Sequence, residues 1–208
     1  MSILLNYLGQ LRLYSLADLI ILLLAIQATS KEFAGVILLH VGFLAFLESR
    51  HSHSYRRKVP NLVWIALGIA GIFLYGHIEV IGFIVFSYLY AKKNKGMAGG
   101  FSFLSRGLQL FFLVAGITSF ASMLPWVALG AFSVRNLLGD FRDVEKDTKE
   151  GMMTMPIVMG MKKGFRYAHL FATMLTTILW WSLGDLHISY LVGALIIEIV
   201  TYQWTPRR

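Results

Sequence analysis

Long apolar runs dominate the sequence, at residues 13–28, 33–47, 62–91, 108–138 and 170–200, and each is broken only lightly. In lipid every backbone amide must be hydrogen-bonded within the chain, so such runs predict transmembrane helices. Only 14% of the residues are charged, whereas a soluble domain carries about 25%. The sequence therefore predicts an integral membrane protein, all-α, with one transmembrane helical domain over residues 1–208.

Charge and cysteine content exclude several other classes of protein. The chain has no cysteine, so a disulfide framework, an iron–sulfur cluster or a thiolate zinc site is ruled out. The net charge of +8 would suit nucleic acid. In a membrane protein, however, Lys and Arg collect on the cytoplasmic side beside anionic lipid. We therefore expect a lipid neighbour and no nucleic-acid partner.

The positions of the basic residues predict the topology. Of the 19 basic residues only Lys31 lies outside alternate loops, and segments between positive clusters should cross the membrane an even number of times. The others are Arg12; Arg50, Arg56, Arg57 and Lys58; Lys92, Lys93, Lys95 and Arg106; Arg135, Arg142, Lys146, Lys149, Lys162, Lys163 and Arg166; and Arg207 and Arg208.

Each of the four segments between these clusters has a weak polar break near its middle, at residues 29–32, 76–79, 119–125 and 184–187. We therefore expect four helical hairpins, or about eight transmembrane helices, in a multi-pass protein of the cell membrane with cytoplasmic N and C termini. The segment of residues 59–91 has 33 residues, while two full crossings need about 40. Its helices should be short, tilted or extended by flanking polar residues.

Residues 135–160, RNLLGDFRDVEKDTKEGMMTMPIVMG, carry the clearest chemistry. Four of their polar side chains are spaced four, three and four residues apart, which puts them on one face of a helix. Carboxylates on one stripe repel each other unless a cation joins them, and such oxygens suit Mg²⁺ shared with a phosphate. The simpler interpretation is a solvated, mixed-charge helix end. The stripe is Asn136, Asp140, Asp143 and Asp147, with Arg142, Lys146 and Lys149 interleaved.

The stretch GDFRDVEKDTKEGMMTMPIVMG resembles the second aspartate-rich motif of the UbiA superfamily of intramembrane prenyltransferases. It is most similar to archaeal digeranylgeranylglyceryl phosphate synthase-like members. The core DxxxD of the family corresponds to Asp143 and Asp147. The residues that match the pattern are Asp140, Asp143, Asp147, Gly151, Thr154, Pro156 and Gly160.

The other motifs of the family match less completely. Tyr88 and Lys92 fit its YxxxK, although an aromatic belt residue followed by a snorkelling lysine gives the same pattern. Where the family has NDxxDxxxD, this chain reads FLESRHSHSYRRKVP, with Glu48 as the only carboxylate. His51 and His53 are either replacement metal ligands or plain loop residues. The family has nine helices, so its last helix is expected to be absent here.

The resemblance implies a Mg²⁺-dependent transferase that moves an isoprenyl group from a prenyl diphosphate to a lipophilic acceptor. It assigns catalysis to Asp143, Asp147 and Lys92, and the metal to Asp140, Asp143 and Asp147. It assigns substrate binding to Tyr88, Lys92, Asn136, Arg142, Lys146, Arg56 and Arg57. In an active site with a degenerate first motif, we expect Arg50, Arg56, Arg57 and Lys58 to replace part of the second metal's role by binding phosphate directly.

Two other functions stay open from the sequence. A catalytically degenerate relative would bind an isoprenoid lipid or a partner protein without chemistry. A transporter or channel would also place acids at the mouth of a helical bundle, although broken-helix inverted repeats are not visible. Ionisable residues within the apolar runs either line an acceptor cavity or hydrogen-bond one helix to another. These are Asp18, His40, His169 and Glu198.

Overall fold

A computed structural model of the chain describes residues 9–50, 59–92 and 96–204, and every regular element in these ranges is helical. This confirms the predicted all-α class. A short 3-10 helix, Gly96–Phe101, precedes α5. The α-helices are α1 Leu13–Ala25, α2 Ser30–Arg50, α3 Asn61–Tyr75, α4 Val80–Ala91, α5 Ser102–Thr118, α6 Leu124–Arg142, α7 Val144–Lys149, α8 Met155–Val158, α9 Ala168–Leu183 and α10 Ile188–Tyr202.

Each predicted polar break marks the junction of two helices: residues 76–79 and 184–187 lie wholly between helices, and residues 29–32 and 119–125 run into the first turn of the next helix. The first break shows why helix α2 begins where it does. Thr29 donates to Glu32 Oε2 from its backbone nitrogen at 2.8 Å and from its hydroxyl at 2.7 Å. The Glu32 amide donates back to Thr29 Oγ1 at 3.4 Å. This reciprocal capping box satisfies amides that the first turn of a helix leaves without partners.

Some of the helices, but not all, are long enough to cross a membrane. Two stretches of the described chain, Ser30–Arg50 and Gly99–Thr118, are long and apolar enough to cross a bilayer. Five further apolar helices are shorter, at 12 to 16 residues. Helix α6 has 19 residues but carries Arg135, Asp140 and Arg142. The structure therefore supports membrane association, while the number of crossings and the side of each terminus stay predictions.

The chain divides into two compact units. Unit 1 comprises residues 1–77 and 177–208, so it holds α1, α2, α3, α10 and the second part of α9. Unit 2 comprises residues 78–176 and holds α4 to α8 with the first part of α9. The prediction of a single transmembrane domain is untested by this division.

In unit 1, glycines let the backbones of α2 and α3 approach closely. A Cβ on Gly35 would lie 2.5 Å from the Tyr75 backbone nitrogen, and one on Gly71 would lie 2.8 Å from Leu39 Cγ. One turn further along, a Cβ on Gly42 would lie 3.3 Å from Leu67 Cβ. Small residues at helix contacts of this kind are typical of membrane proteins, where close packing replaces the hydrophobic effect between helices.

A second feature of unit 1 is a pair of buried carboxyl groups. Asp18 of α1 and Glu198 of α10 are both fully buried. The Thr177 hydroxyl of α9 lies 3.3 Å from Asp18 Oδ1 and also contacts Glu198 Oε1. For these two residues the helix-to-helix hydrogen bond expected from sequence is the arrangement found. The contact links three helices through polar atoms in an apolar interior.

In unit 2, α5 packs against both α4 and α6. A Cβ on Gly107 would lie 2.0 Å from Ser133 Oγ on α6, and one on Gly82 of α4 would lie 2.3 Å from the Phe112 ring. Aromatic rings pack between the C-terminal half of α5 and the start of α6. The ring centroids of Phe111 and Trp126 lie 4.8 Å apart in an edge-to-face contact. The pairing of α5 with α6 brings the start of α5 to the acidic end of α6.

The surface of several helices is strongly apolar. Phe73 on α3 is 85% exposed and Leu62 is 76% exposed, and α10 exposes a row of aliphatic side chains. Exposed apolar surface on this scale is rare on soluble monomers and marks contact with lipid or another protein. On α10 the exposed residues are Ile188, Val192, Ile196, Ile197, Ile199 and Val200.

The glycine contacts between α2 and α3 generate a matched test. Gly71→Ala places a methyl group against Leu39, so we expect the free energy of unfolding to fall by about 1–3 kcal/mol. Gly68→Ala is the control, because nothing lies within 4 Å of its Cβ position, and it should leave stability unchanged or higher. Thermal unfolding in detergent measures both. Equal melting temperatures for the two variants would contradict the close contact.

Candidate functional site

The acidic stretch lies at the end of α6, but the helix does not continue through it. Helix α6 ends at Arg142 and α7 begins at Val144, with Asp143 between them at φ −97° and ψ 10°. The Asp143 amide is shared between the carbonyls of Gly139 at 3.1 Å and Asp140 at 3.2 Å, which tightens the last turn. The four stripe residues therefore lie on two consecutive helices, with Asp143 between them.

Burial separates the members of this stretch. Asp140 is 4% exposed and Asp147 is 1% exposed, whereas Glu145 and Lys149 are exposed. Lys146 and Asn136 are half-buried. A solvated helix end therefore describes Glu145 and Lys149 but not the two buried aspartates. Burying a carboxyl group costs free energy unless the group is paired or hydrogen-bonded. The burial of Asp140 and Asp147 therefore indicates that neighbouring polar groups of the protein stabilise them.

Arg142 is the centre of the best-defined contacts. Its Nε donates to Asp143 Oδ1 at 2.8 Å and a terminal nitrogen donates to Asp143 Oδ2 at 2.6 Å. This fork is the strongest geometry that an arginine and a carboxylate form. The other terminal nitrogen lies 3.4 Å from Nδ1 of His169 on α9. Since the guanidinium can only donate, this contact needs an unprotonated Nδ1 on the histidine.

The start of α5 closes over the buried aspartate at the end of α6. Ser102 Oγ donates to Asp140 Oδ2 at 3.1 Å, and Ser102 is 1% exposed. The preceding 3-10 helix contacts α8. The loop after α8 returns to the same place, because the Gly164 amide donates to Glu145 Oε1 and the Phe165 amide to the Phe141 carbonyl, each at 3.1 Å.

Some buried polar atoms of α6 and of the motif that follows it have no hydrogen-bond partner within the described residues. Among them are Thr154 Oγ1 in the motif, and Asn136 Nδ2 and Ser133 Oγ further back on α6. Thr154 is fully buried and belongs to the threonine–proline part of the acidic motif. A buried polar atom without a partner costs about 1–3 kcal/mol, so such atoms mark places where a ligand or an ordered water binds.

The carboxylates do not form a preassembled metal cage. Within residues 9–50, 59–92 and 96–204, no three His, Asp or Glu side chains converge as metal ligands would. Asp143 holds Arg142 with both oxygens, and Asp140 accepts from Ser102. Mg²⁺ usually takes one or two carboxylates and completes its shell with phosphate and water, so these residues fit an ion shared with a bound diphosphate.

The predicted Tyr88–Lys92 pair forms a local contact on α4. Lys92 Nζ lies 4.2 Å from the centroid of the Tyr88 ring, and the ring is 48% exposed. One turn of helix separates the two residues, so the contact follows from their spacing. A cation over an exposed ring also matches the interpretation as a belt tyrosine and a snorkelling lysine.

Sequence reasoning missed a buried polar chain on α5. Arg106 donates to Gln109 Oε1, and Gln109 Nε2 donates to Ser87 Oγ of α4 at 3.0 Å. Arg106 is 8% exposed and Gln109 is fully buried. Its signal in the sequence was a polar pair three residues apart in an apolar helix. Arg106, and Arg135 at 5% exposure, had been counted as loop markers of topology; both lie buried within helices.

The remaining residues expected at the site belong to unit 1 or lie outside the described residues. Glu48, the only carboxylate of the degenerate first motif, is a buried residue of unit 1. Arg50 ends α2 with its guanidinium 4.8 Å from the Phe46 ring centroid. Outside the described residues lie His51, His53, Arg56, Arg57 and Lys58, together with Lys93, Lys95, Arg207 and Arg208.

Comparison of the chain with models of protein families, with curated protein sequences and with solved structures found no match. The resemblance to the UbiA superfamily therefore rests on the motif residues themselves.

The contacts of Arg142 predict that the protein is less stable with lysine than with arginine at this position. Arg142→Lys keeps the charge but cannot donate to both Asp143 oxygens and reach His169, so the free energy of unfolding should fall by about 1–3 kcal/mol. Arg166→Lys is the control, because Arg166 is exposed and should change stability by less than about 0.5 kcal/mol. Unfolding in detergent measures both, and equal losses would rule out a special role for the fork.

Proposed function

We propose that the chain is a multi-pass membrane protein whose eight longer helices cross the bilayer as four hairpins, with both termini cytoplasmic. The supporting observation is that the distribution of side chains is the reverse of that in a water-soluble protein. Large apolar side chains such as Phe73 and Leu62 are exposed, while Asp18, Gln109 and Glu198 are fully buried. This distribution is stable in hydrocarbon and unstable in water, because lipid solvates the exposed side chains and the interior satisfies the polar ones.

Short helices are compatible with this proposal. Helix α4 has 12 residues and is about 18 Å long, against a hydrocarbon core of about 30 Å. Such a helix spans only where the bilayer is thinned or where flanking segments complete the crossing.

We further propose that the chain transfers an isoprenyl group from a prenyl diphosphate to a lipophilic acceptor. The observation that supports this activity best is the pair of buried aspartates, Asp140 and Asp147, at the end of an apolar helix. Arg142 and the unsatisfied Thr154 hydroxyl lie in the same motif and offer a charge and a donor for phosphate oxygens. Buried ionisable groups in membrane proteins are functional candidates by default.

The role of each residue follows from its chemistry. Asp140, Asp143 and Asp147 would hold Mg²⁺, which neutralises the diphosphate when it is bound. Arg142, Lys146, Asn136, Tyr88 and Lys92 would bind the diphosphate oxygens and keep them oriented, with Arg56 and Arg57 contributing from outside the described chain.

The transfer itself breaks the bond between the allylic carbon and the diphosphate oxygen. The electron pair leaves with the diphosphate, whose negative charge the basic side chains stabilise. The acceptor nucleophile then bonds to the allylic carbon and gives its proton to the departed diphosphate. Apolar helices around the site would keep out water, which would otherwise capture the allylic carbocation.

A non-catalytic relative that binds an isoprenoid lipid or a partner protein is the second candidate. A specific contact favours it: Arg142 already neutralises Asp143 through both carboxylate oxygens. In a protein that has lost catalysis, such an arginine would neutralise the carboxylate in place of a metal ion. The two candidates differ in one measurable property, which is product formation.

Topology is testable because the chain has no cysteine of its own. Single cysteines are placed at Ser30, the first residue of α2, and between helices at His77, Ser122 and His187. All four positions are at the turns of the proposed hairpins and should react only with reagent added from outside the cell. Cysteines at Lys92 and Arg166 are the controls and should react only from the cytoplasmic side. Cytoplasmic labelling of any two of the first four positions would overturn the topology.

The activity is testable with labelled geranylgeranyl diphosphate, Mg²⁺ and a panel of lipid acceptors. Asp143→Ala and Asp147→Ala should each weaken Mg²⁺-dependent diphosphate binding at least about tenfold, on the order of 1.4 kcal/mol. Glu145→Ala is the control, since this exposed carboxylate lies on the same short helix.

Formation of a prenylated product supports the transferase. Saturable, Mg²⁺-dependent binding without product supports the non-catalytic relative. Unchanged binding in both aspartate variants would reject a diphosphate site at this helix end.

A further inference from the structure

The loop between α8 and α9, residues 159–167, lies against the C-terminal end of α6. The Phe165 amide donates to the Phe141 carbonyl and the Gly164 amide donates to Glu145 Oε1, each at 3.1 Å. A Cβ on Gly164 would lie 2.5 Å from the Phe141 carbonyl oxygen, so the two backbones are in direct contact. The backbone therefore holds this loop in place, and most of its side chains are exposed.

The charged side chains of this loop are all positive. Lys162, Lys163 and Arg166 are exposed and form what we call the basic cluster. The sequence has no Asp or Glu between residues 151 and 184. The Glu145 carboxylate, which accepts from the loop backbone, offsets only one of the three positive charges. The loop therefore presents net positive charge at the surface and attracts anionic groups.

An apolar stripe begins at the end of the same loop and continues along α9. Tyr167, Phe171 and Leu175 are spaced four residues apart, which puts them on one face of the helix, and they are 63%, 62% and 49% exposed. The Phe171 amide donates to the Tyr167 carbonyl at 3.0 Å, so the helical spacing already holds at Tyr167. The Arg166 guanidinium carbon lies 5.2 Å from the centroid of the Tyr167 ring. The basic cluster and the apolar stripe therefore adjoin each other.

From this arrangement we infer that the loop and the start of α9 form a binding site for an anionic phospholipid, whose head group contacts the basic cluster and whose acyl chains lie along the apolar stripe. Lys and Arg bind phosphate oxygens through charge-assisted hydrogen bonds. Clusters of basic residues beside a membrane helix are typical sites for acidic head groups. A soluble acidic partner would neutralise the cluster but leave the apolar stripe in water, whereas a lipid covers both.

This inference rests on one part of the proposed function, that the chain is embedded in lipid, and it is independent of the transferase activity. The excess of basic residues in the sequence predicts anionic lipid around the chain as a whole. The structure assigns one lipid molecule to a particular loop, which follows the acidic motif and shares no residue with it. A lipid bound there is a structural partner of the chain and is neither the diphosphate nor the acceptor.

The experiment uses the full chain in detergent micelles, with dioleoyl phosphatidylglycerol as the probe and dioleoyl phosphatidylcholine as the reference without net charge. Native mass spectrometry counts the lipids retained per chain as each is titrated. The first phosphatidylglycerol should bind at least about tenfold more tightly than the first phosphatidylcholine. Raising ammonium acetate from about 0.1 M to about 1 M should reduce this preference, because exposed charges are then screened. Free glycerol phosphate, which lacks acyl chains, should not displace the lipid.

One pair of variants locates the head group. Lys162→Gln combined with Lys163→Gln removes two positive charges from the basic cluster and should weaken phosphatidylglycerol binding at least about tenfold, with phosphatidylcholine binding unchanged. Lys31→Glu is the matched control, because it lowers the net charge by the same amount. Lys31 is an exposed residue at the start of α2, in unit 1, and its variant should bind both lipids as the wild type does.

A second pair locates the acyl chains. Phe171→Ala shortens the apolar stripe, so it should weaken the binding of both lipids at least about threefold and leave the preference for phosphatidylglycerol intact. Phe73→Ala is its matched control. Phe73 is an exposed phenylalanine of α3, in unit 1, and its loss should not change binding of the first phosphatidylglycerol.

Four results would overturn the inference. They are equal binding of the two lipids, displacement of the lipid by glycerol phosphate, equal losses in the lysine pair and in Lys31→Glu, and equal losses in Phe171→Ala and Phe73→Ala. A chain that stays monomeric in water without detergent would contradict the membrane proposal, and this inference with it. Selective phosphatidylglycerol binding by a chain that forms no prenylated product would support this inference and contradict only the transferase.

Discussion

Polar side chains inside an apolar helical protein must find their partners within the chain, and this requirement organises both units. In unit 1 the Thr177 hydroxyl contacts Asp18 and Glu198, which ties three helices together. In unit 2 Gln109 connects Arg106 on its own helix to Ser87 on the neighbouring one. Apolar contacts between helices are weakly specific in lipid, so such polar contacts fix which helices pair and in which register.

The same requirement explains the character of the acidic helix end. The carboxylates there are accompanied by donors from the chain itself, from Arg142 beside Asp143 and from Ser102 beside Asp140. A site with internal counter-charges remains folded when no ligand is present, and a ligand must then exchange with those partners when it binds. A cation that bound these carboxylates would therefore compete with Arg142 and Ser102, and an anion that bound Arg142 would compete with Asp143.

Four junctions between helices were predictable from the sequence, because a few polar residues in an apolar run mark a turn whatever the tertiary structure is. The break between Ala25 and Ser30 is an example, since Thr29 and Glu32 show the capping pattern in the sequence. The end of α6 at Arg142 was not predictable in this way. It depends on the local geometry of Asp143, which a spacing of three and four residues does not reveal.

Burial of charged residues was also beyond the sequence. The prediction of topology counted Arg106 as a loop residue like the lysines before it. In the structure Arg106 is a buried residue of α5 that donates to Gln109. Periodicity places Arg106 and Gln109 near one another on α5, but it does not show whether that polar face meets solvent or, as here, Ser87 of the neighbouring helix. The burial of the Thr154 hydroxyl likewise follows from packing between elements, for which a single sequence holds no signal.

The contact between α2 and α3 has an evolutionary consequence. Its close pairs run antiparallel in steps of about one turn, from Gly35 against Tyr75 to Phe46 against Trp64. A single residue inserted within α3 would rotate everything on one side of it by about 100° and carry Gly71 away from Leu39. Substitutions on the lipid-facing side can accumulate in this hairpin, but insertions and deletions within its helices cannot. Changes in length should therefore be confined to its loops in any descendant of this chain.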